Sequence, residues 1–158
     1  FSQDQRDLYG FYLGIYESVL GAIKPGLRSQ QVLQAALPKM DAILRAAKFS
    51  KPLYADVAKQ FVDRYRASAE RGAGLGHAVG MATHDFGGGT GLMRPGMVFT
   101  IEPALTIPEE QIYIRLEDMI VITETGATVL SDFVPRSIAA VERMMAGPGL
   151  LQQYRRIR

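Results

Sequence analysis

The stretch "MVFTIEPALTIPEEQIYIRLEDMIVIT", Met97 to Thr123, decides the fold. It holds two β-rich runs, "MVFTIEPAL" (97–105) and "IYIRLEDMIVIT" (112–123), with Pro-Glu-Glu between them. A shorter run, "ATVLS" (127–131), follows a Thr-Gly turn signal. Branched and aromatic residues bounded by Pro and Gly predict strands joined by turns. In "RPGM" (94–97) and "ETGA" (124–127), Pro fixes φ or Gly supplies positive φ, so both read as turns.

Alternation in these runs places Thr100 and Glu102 on one face and Phe99 and Ile101 on the other. Arg115 and Glu117 share a face, and Asp118 points the opposite way. A charge inside a central strand is costly unless it is paired or bound to a metal. Taken alone, these residues fit two readings equally. One is an Arg115–Glu117 ion pair on a solvated face of an antiparallel sheet. The other is a set of carboxylates gathered for chemistry.

Upstream, the chain changes period. Leu8, Phe11, Tyr12, Ile15, Val19 and Ile23 recur at three- and four-residue steps, the stripe of an amphipathic helix. Ser2 and Gln5 form a capping-box pattern at its start, and "KPG" (24–26) ends it. The stripe aromatics Phe11, Tyr12 and Tyr16 read as core and partial surface. Ser29 is expected to cap a second helix, which Pro38 should kink or divide. A third helix is expected from about Leu53 to Ala69, behind Pro52, and a last one from about Pro135 to Met145. Helices first and strands afterwards predict an α+β domain with helices on one face of a largely antiparallel sheet.

Between these halves lies "LGHAVGMATHDFGG", Leu75 to Gly88, which carries both histidines of the chain. A lone histidine is more often structural than a ligand. Here glycines let backbone approach closely. Histidine with glutamates on neighbouring strands is a usual ligand set for a divalent ion. His77, Glu102 and Glu117, with His84 nearby, therefore form a candidate metal-hydrolase site, although spacing alone does not establish convergence in space. Asp85 could orient His84 or cap a turn. Arg136 is expected at the surface. "GGGTG" (87–91) reads as a loop, since it lacks the Lys-Ser/Thr of a phosphate loop.

Composition sets bounds. The chain has 158 residues, enough for one core, with 47% hydrophobic and 22% charged residues. A net charge of +2 gives no argument for nucleic acid. Much of the excess lies in "QQYRRIR", expected to be a solvated basic tail over residues 147–158 that follows a domain of residues 1–146. No cysteine is present, so disulfides and thiolate chemistry are excluded. No run approaches membrane-spanning length, and the first residues do not resemble a signal peptide. A cytoplasmic setting is the expectation.

Three blocks then carry a resemblance. "GLGHAVGMATHD", "LMRPGMVFTIEP" and "IRLEDMIVITETGATVLSDFVP" are similar in order and spacing to blocks of the pita-bread metallopeptidases, the fold of methionine aminopeptidase, aminopeptidase P and prolidase. Within that family, "HD" and "RLED" look more like aminopeptidase P and prolidase. The resemblance implies helices packed on one face of a curved, mostly antiparallel sheet. It implies hydrolysis of Xaa-Pro bonds in proline-containing peptides, assisted by two divalent ions such as manganese, cobalt or zinc. By position, His77 and Glu102 match ligands of one metal, and Glu117 matches the carboxylate shared by both. His84 matches a histidine that contacts substrate, Arg115 an arginine behind the ligands, and Glu102 also a proton shuttle.

The pattern departs in places. The resemblance implies two further aspartate ligands in a strand hairpin upstream, and Asp4 and Asp7 do not match them. The expectation is therefore a C-terminal part of the catalytic domain, lacking the N-terminal strands and inactive alone. Its exposed sheet edge would be covered by another chain, giving a homo-oligomer, or by a retained segment. Ala73 stands where a histidine is common, and Ala104 where glycine is usual. Two rival readings stay open: a creatinase-like hydrolase of the same fold that works without metal, and a non-enzymatic binding scaffold.

Overall fold

The computed structural model describes residues 1–87 and 91–149. Most of the "GGGTG" loop and the end of the basic tail lie outside the described residues. The order is α1 (Gln3–Ala22), α2 (Ser29–Ala46), α3 (Pro52–Arg71), β1 (Val98–Ile101), β2 (Ala104–Ile107), β3 (Ile112–Arg115), β4 (Asp118–Ile122), β5 (Ala127–Val129) and α4 (Ile138–Met145). A 3-10 turn, Pro108–Glu110, joins β2 to β3.

The start of α1 is the expected box. Ser2 Oγ accepts from Gln5 N–H, and Gln5 Oε1 accepts from Ser2 N–H at 2.8 Å. The apolar stripe is buried: Leu8, Tyr12, Ile15, Tyr16 and Val19 are at most 1% exposed. Burying each such side chain contributes roughly 1.5–3 kcal/mol, far more than any cap. Their partners are Val32, Leu33 and Met40 of α2, Ala58, Phe61 and Val62 of α3, and Phe99, Ile101, Leu105, Ile107, Ile120 and Ile122 of the strands. One core thus lies between a helical layer and an antiparallel sheet.

Three helix expectations need correction. Ser29 does not cap α2. Arg28 is the cap residue, its N–H held by Gln31 Oε1 at 2.9 Å, and the Ser29 hydroxyl is buried without a hydrogen bond. The cause is upstream. Gly26 and Leu27 exchange hydrogen bonds with Met93, and Arg28 forms a bridge with Leu92. The chain therefore stays extended through Arg28. Of the kink or division expected at Pro38, a division does not occur, since α2 runs unbroken through it. Proline costs about 3 kcal/mol inside a helix. The buried Val32, Leu33, Ala36 and Met40 around it outweigh that. The last helix begins at Ile138, three residues later than expected, because Tyr9 and Asp118 engage Arg136 first.

The β runs hold a further correction. Neither "MVFTIEPAL" nor "IYIRLEDMIVIT" is one strand. β1 pairs with β4 and β2 with β3, and each run breaks in the middle. The register nevertheless continues across the gap. Ile101 lies opposite Asp118 and Ala104 opposite Arg115, so Glu102 falls opposite Glu117 and Pro103 opposite Leu116. Proline has no N–H to give a ladder, which weakens pairing there. Among the described residues, β2 and β3 pair only with each other.

Candidate metal centre

The site forms at this break. Phe99 and Ile101 are buried with the helices, while Thr100 and Glu102 face the other side, as alternation requires. A third segment pairs along the edge of β1. Thr100 N–H donates to His77 C=O at 2.9 Å, His77 N–H to Thr100 Oγ1 at 3.3 Å, and Ala78 bridges Phe99. This close approach explains one glycine. A Cβ on Gly76 would stand 1.7 Å from Thr100 O, which no side chain can occupy.

From Ala78 the chain turns back. Asp85 N–H donates to Ala78 C=O at 3.2 Å, and Asp85 accepts from Met81 N–H and Phe86 N–H at 2.7 Å. Bonds from Phe86 and Met81 hold the Asp85 carboxyl below its usual range. Asp85 is thus a turn cap. The fold-back places the His84 ring edge-on to His77, with centroids 4.3 Å apart.

His77 Nε2 lies 2.9 Å from Glu102 Oε1 and 3.6 Å from Glu117 Oε1. Ligand-type atoms of His77, His84 and Glu102 lie within 4.8 Å of one another. The imidazole is oriented from behind: Nδ1 stands 3.0 Å from Ala78 O. A carbonyl only accepts, so Nδ1 carries a proton. Nε2 then faces two carboxylates. In the neutral ring that nitrogen is a lone pair aimed at acceptors, which favours a cation between them. A backbone carbonyl behind a histidine whose other nitrogen meets carboxylates is also how metal-binding histidines are commonly held. The donor set fits a divalent ion.

Arg115 does not pair with Glu117. Its Nη2 bonds the Glu102 carboxylate, and its Nε donates to Glu102 C=O at 3.1 Å. The break turns Arg115, at the end of β3, toward the opposite strand. Asp4 and Asp7 lie on α1, bonded to Ser50 and Gln3 respectively.

Several residues escaped the sequence. Asp118 points into the core, 3% exposed, and accepts from Tyr16, Ser131 and Arg136. Burial would raise its pKa, yet these three donors hold its carboxyl below the usual range. Arg136, expected at the surface, is instead its half-buried counter-ion. Tyr12 meets the break itself. Its hydroxyl donates to Pro103 C=O and accepts from Leu116 N–H, both at 2.7 Å. The signals were a proline within a strand run and two tyrosines four apart on a buried helix face.

A cavity of about 200 Å³ opens beside Glu102, walled by Phe61, Tyr65 and Leu75, with Arg64 at its polar side. A larger one, about 530 Å³, lies between α1, β3 and α4 and includes neither histidine.

The profile of metallopeptidase family M24 matches residues 1–124. The chain belongs to metallopeptidase family M24. This M24 chain is 32% identical to Xaa-Pro aminopeptidase 2 of Streptomyces coelicolor, covering 92% of its own length and 33% of that protein. The aminopeptidase PepP of Pseudomonas aeruginosa superposes with a TM-score of 0.66 at 26% identity, covering 92% of this chain and 35% of that one. A zinc-substituted Escherichia coli aminopeptidase P in complex with product superposes at 0.61 and 29% identity, with the same coverage. The M24 chain thus has the pita-bread fold of aminopeptidase P, and it spans about a third of the length of these relatives. No helix among the described residues is long and apolar enough to cross a membrane.

Proposed function

We propose that His77, Glu102 and Glu117 hold a divalent cation in the active centre of an Xaa-Pro aminopeptidase or dipeptidase. The observation that carries this is His77 Nε2 facing two carboxylates while Nδ1 is held by Ala78 C=O. Membership in a metallopeptidase family and likeness to Xaa-Pro aminopeptidases support it. The ions would be manganese, cobalt or zinc, two in the complete centre.

When bound, the metal would supply electrophilic assistance to a peptide carbonyl. The chain's residues do the rest. Glu102, fixed by Arg115 and Thr100, is placed to take and return a proton at its carboxylate. His84, exposed at the rim beside His77, would contact the peptide. Three residues supply only part of the ligand set of a two-metal centre, so this chain by itself is expected to give no turnover. A homo-oligomeric assembly and a cytoplasmic setting belong to the same reading.

The test is cleavage of an Xaa-Pro peptide by the intact protein before chelation, after chelation, and after adding manganese back. Activity that disappears and returns supports the reading. Cleavage indifferent to chelator favours a metal-independent hydrolase, and none under any condition favours a binding scaffold.

A further inference from the structure

We propose that Tyr12 is a positioning residue, a wedge whose hydroxyl sets the separation of Glu102 and Glu117. This rests on the metal-centre reading above. The argument begins with the ladder. In an antiparallel pair, hydrogen-bonded and non-hydrogen-bonded positions alternate. Ile122 N–H donates to Met97 C=O at 2.9 Å, which marks that pair as hydrogen-bonded. Counting along the unbroken register makes Pro103 and Leu116 a hydrogen-bonded pair as well. Leu116 N–H should therefore donate directly to Pro103 C=O.

It does not. Leu116 N–H donates to the Tyr12 hydroxyl at 2.7 Å, and that hydroxyl donates to Pro103 C=O at 2.7 Å. A side-chain oxygen has been inserted into the ladder where one backbone bond would otherwise close it. A hydroxyl suits this place because it donates once and still accepts. Tyr12 has no freedom to leave: it is fully buried, and its ring packs on Phe61 and Tyr16.

The inserted oxygen sits one residue from each carboxylate. Glu102 precedes Pro103, and Glu117 follows Leu116. Glu102 and Glu117 occupy a non-hydrogen-bonded position, where opposing side chains stand closest. Like charges directly opposite repel. Prying the strands apart beside them relieves that repulsion and opens room for a cation between the carboxylates and His77.

The experiment is a cobalt(II) titration of the intact protein, followed by the metal's visible absorption, for wild type, Tyr12→Phe and Tyr54→Phe. Tyr54 is a second buried tyrosine, on α3, whose hydroxyl meets Glu110 instead. Residues behind metal ligands commonly change affinity about 10–100-fold. Tyr12→Phe is expected to weaken cobalt binding by that factor and to shift its spectrum, whereas Tyr54→Phe matches wild type. A folded Tyr12→Phe protein with wild-type affinity and spectrum overturns the proposal. Amide exchange at Leu116 is compared in wild type and Tyr12→Phe. Slow exchange in the wild type that becomes fast in the variant is expected. Equal protection in both overturns the wedge, since a direct bond to Pro103 C=O would protect either. A wild type that takes up no cobalt overturns the metal reading, and Leu116 exchange then decides the wedge alone.

Discussion

Arg115 grips Glu102 at both ends, Nε donating to its carbonyl at 3.1 Å and Nη2 to its carboxylate. A guanidinium can hold both because its donors form a rigid fork, which an ammonium lacks. In the intact protein, Arg115→Lys is therefore expected to lower kcat/KM on an Xaa-Pro peptide about 10–100-fold. Arg115 is itself substantially exposed, so the unfolding free energy should move by no more than about 0.5 kcal/mol. Steady-state kinetics beside a urea melt checks both parts.

Glu117 differs from Glu102 in being half exposed, with His77 as its partner. Glu117→Gln removes a charge without leaving a buried one unpaired. The metal-free protein is expected to melt at the wild-type temperature or slightly above. With manganese at about 100 times its Kd, the wild type should gain about 2.7 kcal/mol and the variant much less. Paired thermal melts, with and without metal, measure this directly.

How much of this was legible depends on what each residue's signal reports. The stripe from Leu8 to Ile23 named the buried face of α1, because burial follows period. It could not say that the Tyr12 and Tyr16 hydroxyls cross the core to reach Pro103, Leu116 and Asp118, since period gives a direction and no partner. Alternation put Thr100 with Glu102 and turned Asp118 away, and the structure agrees. The breaks at Glu102 and Glu117 were hidden, although Pro103 was a visible warning. Ser29 looked like a cap because local pattern is blind to the Met93 contacts that fix where α2 begins. The convergence of His77 on the two glutamates came from the resemblance; residue spacing alone left it open.

Gly76 gives a test of the scaffold that brings His77 in. A Cβ there meets backbone, Thr100 O at 1.7 Å, so no side-chain adjustment can relieve it. Gly76→Ala should push the segment off β1, costing about 2 kcal/mol or more, and should abolish metal binding. Gly21, near the end of α1, has nothing within 4 Å of its Cβ position. Gly21→Ala should instead stabilise by about 0.5–1 kcal/mol. Denaturant melts of the two variants would show opposite signs.

Asp118 stands beside Glu117 in sequence but on the opposite face, in a network with Tyr16, Ser131 and Arg136. Asp118→Ala leaves the Arg136 guanidinium half-buried with its main partner gone. Breaking such a pair from one side costs about 3–5 kcal/mol. The loss should appear as a lowered denaturation midpoint. Asp132→Ala, at an exposed partner of the same arginine, should change it by less than about 1 kcal/mol.

Two of the three tyrosines of α1, Tyr12 and Tyr16, give the fold an alkaline limit. Burial pushes the Tyr12 hydroxyl up to about 12, more than the Leu116 hydrogen bond lowers it. Tyr16 rises further, from burial and then from its bond to Asp118. A phenol whose pKa is higher folded than unfolded contributes stability that is whole below the unfolded value of about 10 and is lost as pH rises toward the folded one. For Tyr12 alone this is on the order of 3 kcal/mol. Unfolding free energy is therefore expected to fall steeply above about pH 10, through proton release from the unfolded chain. Tyr12→Phe should start from a lower stability at neutral pH and show a shallower alkaline decline. Urea melts at successive pH values, read beside tyrosinate absorbance, would register both, and an equally steep decline in the variant would remove Tyr12 from the account.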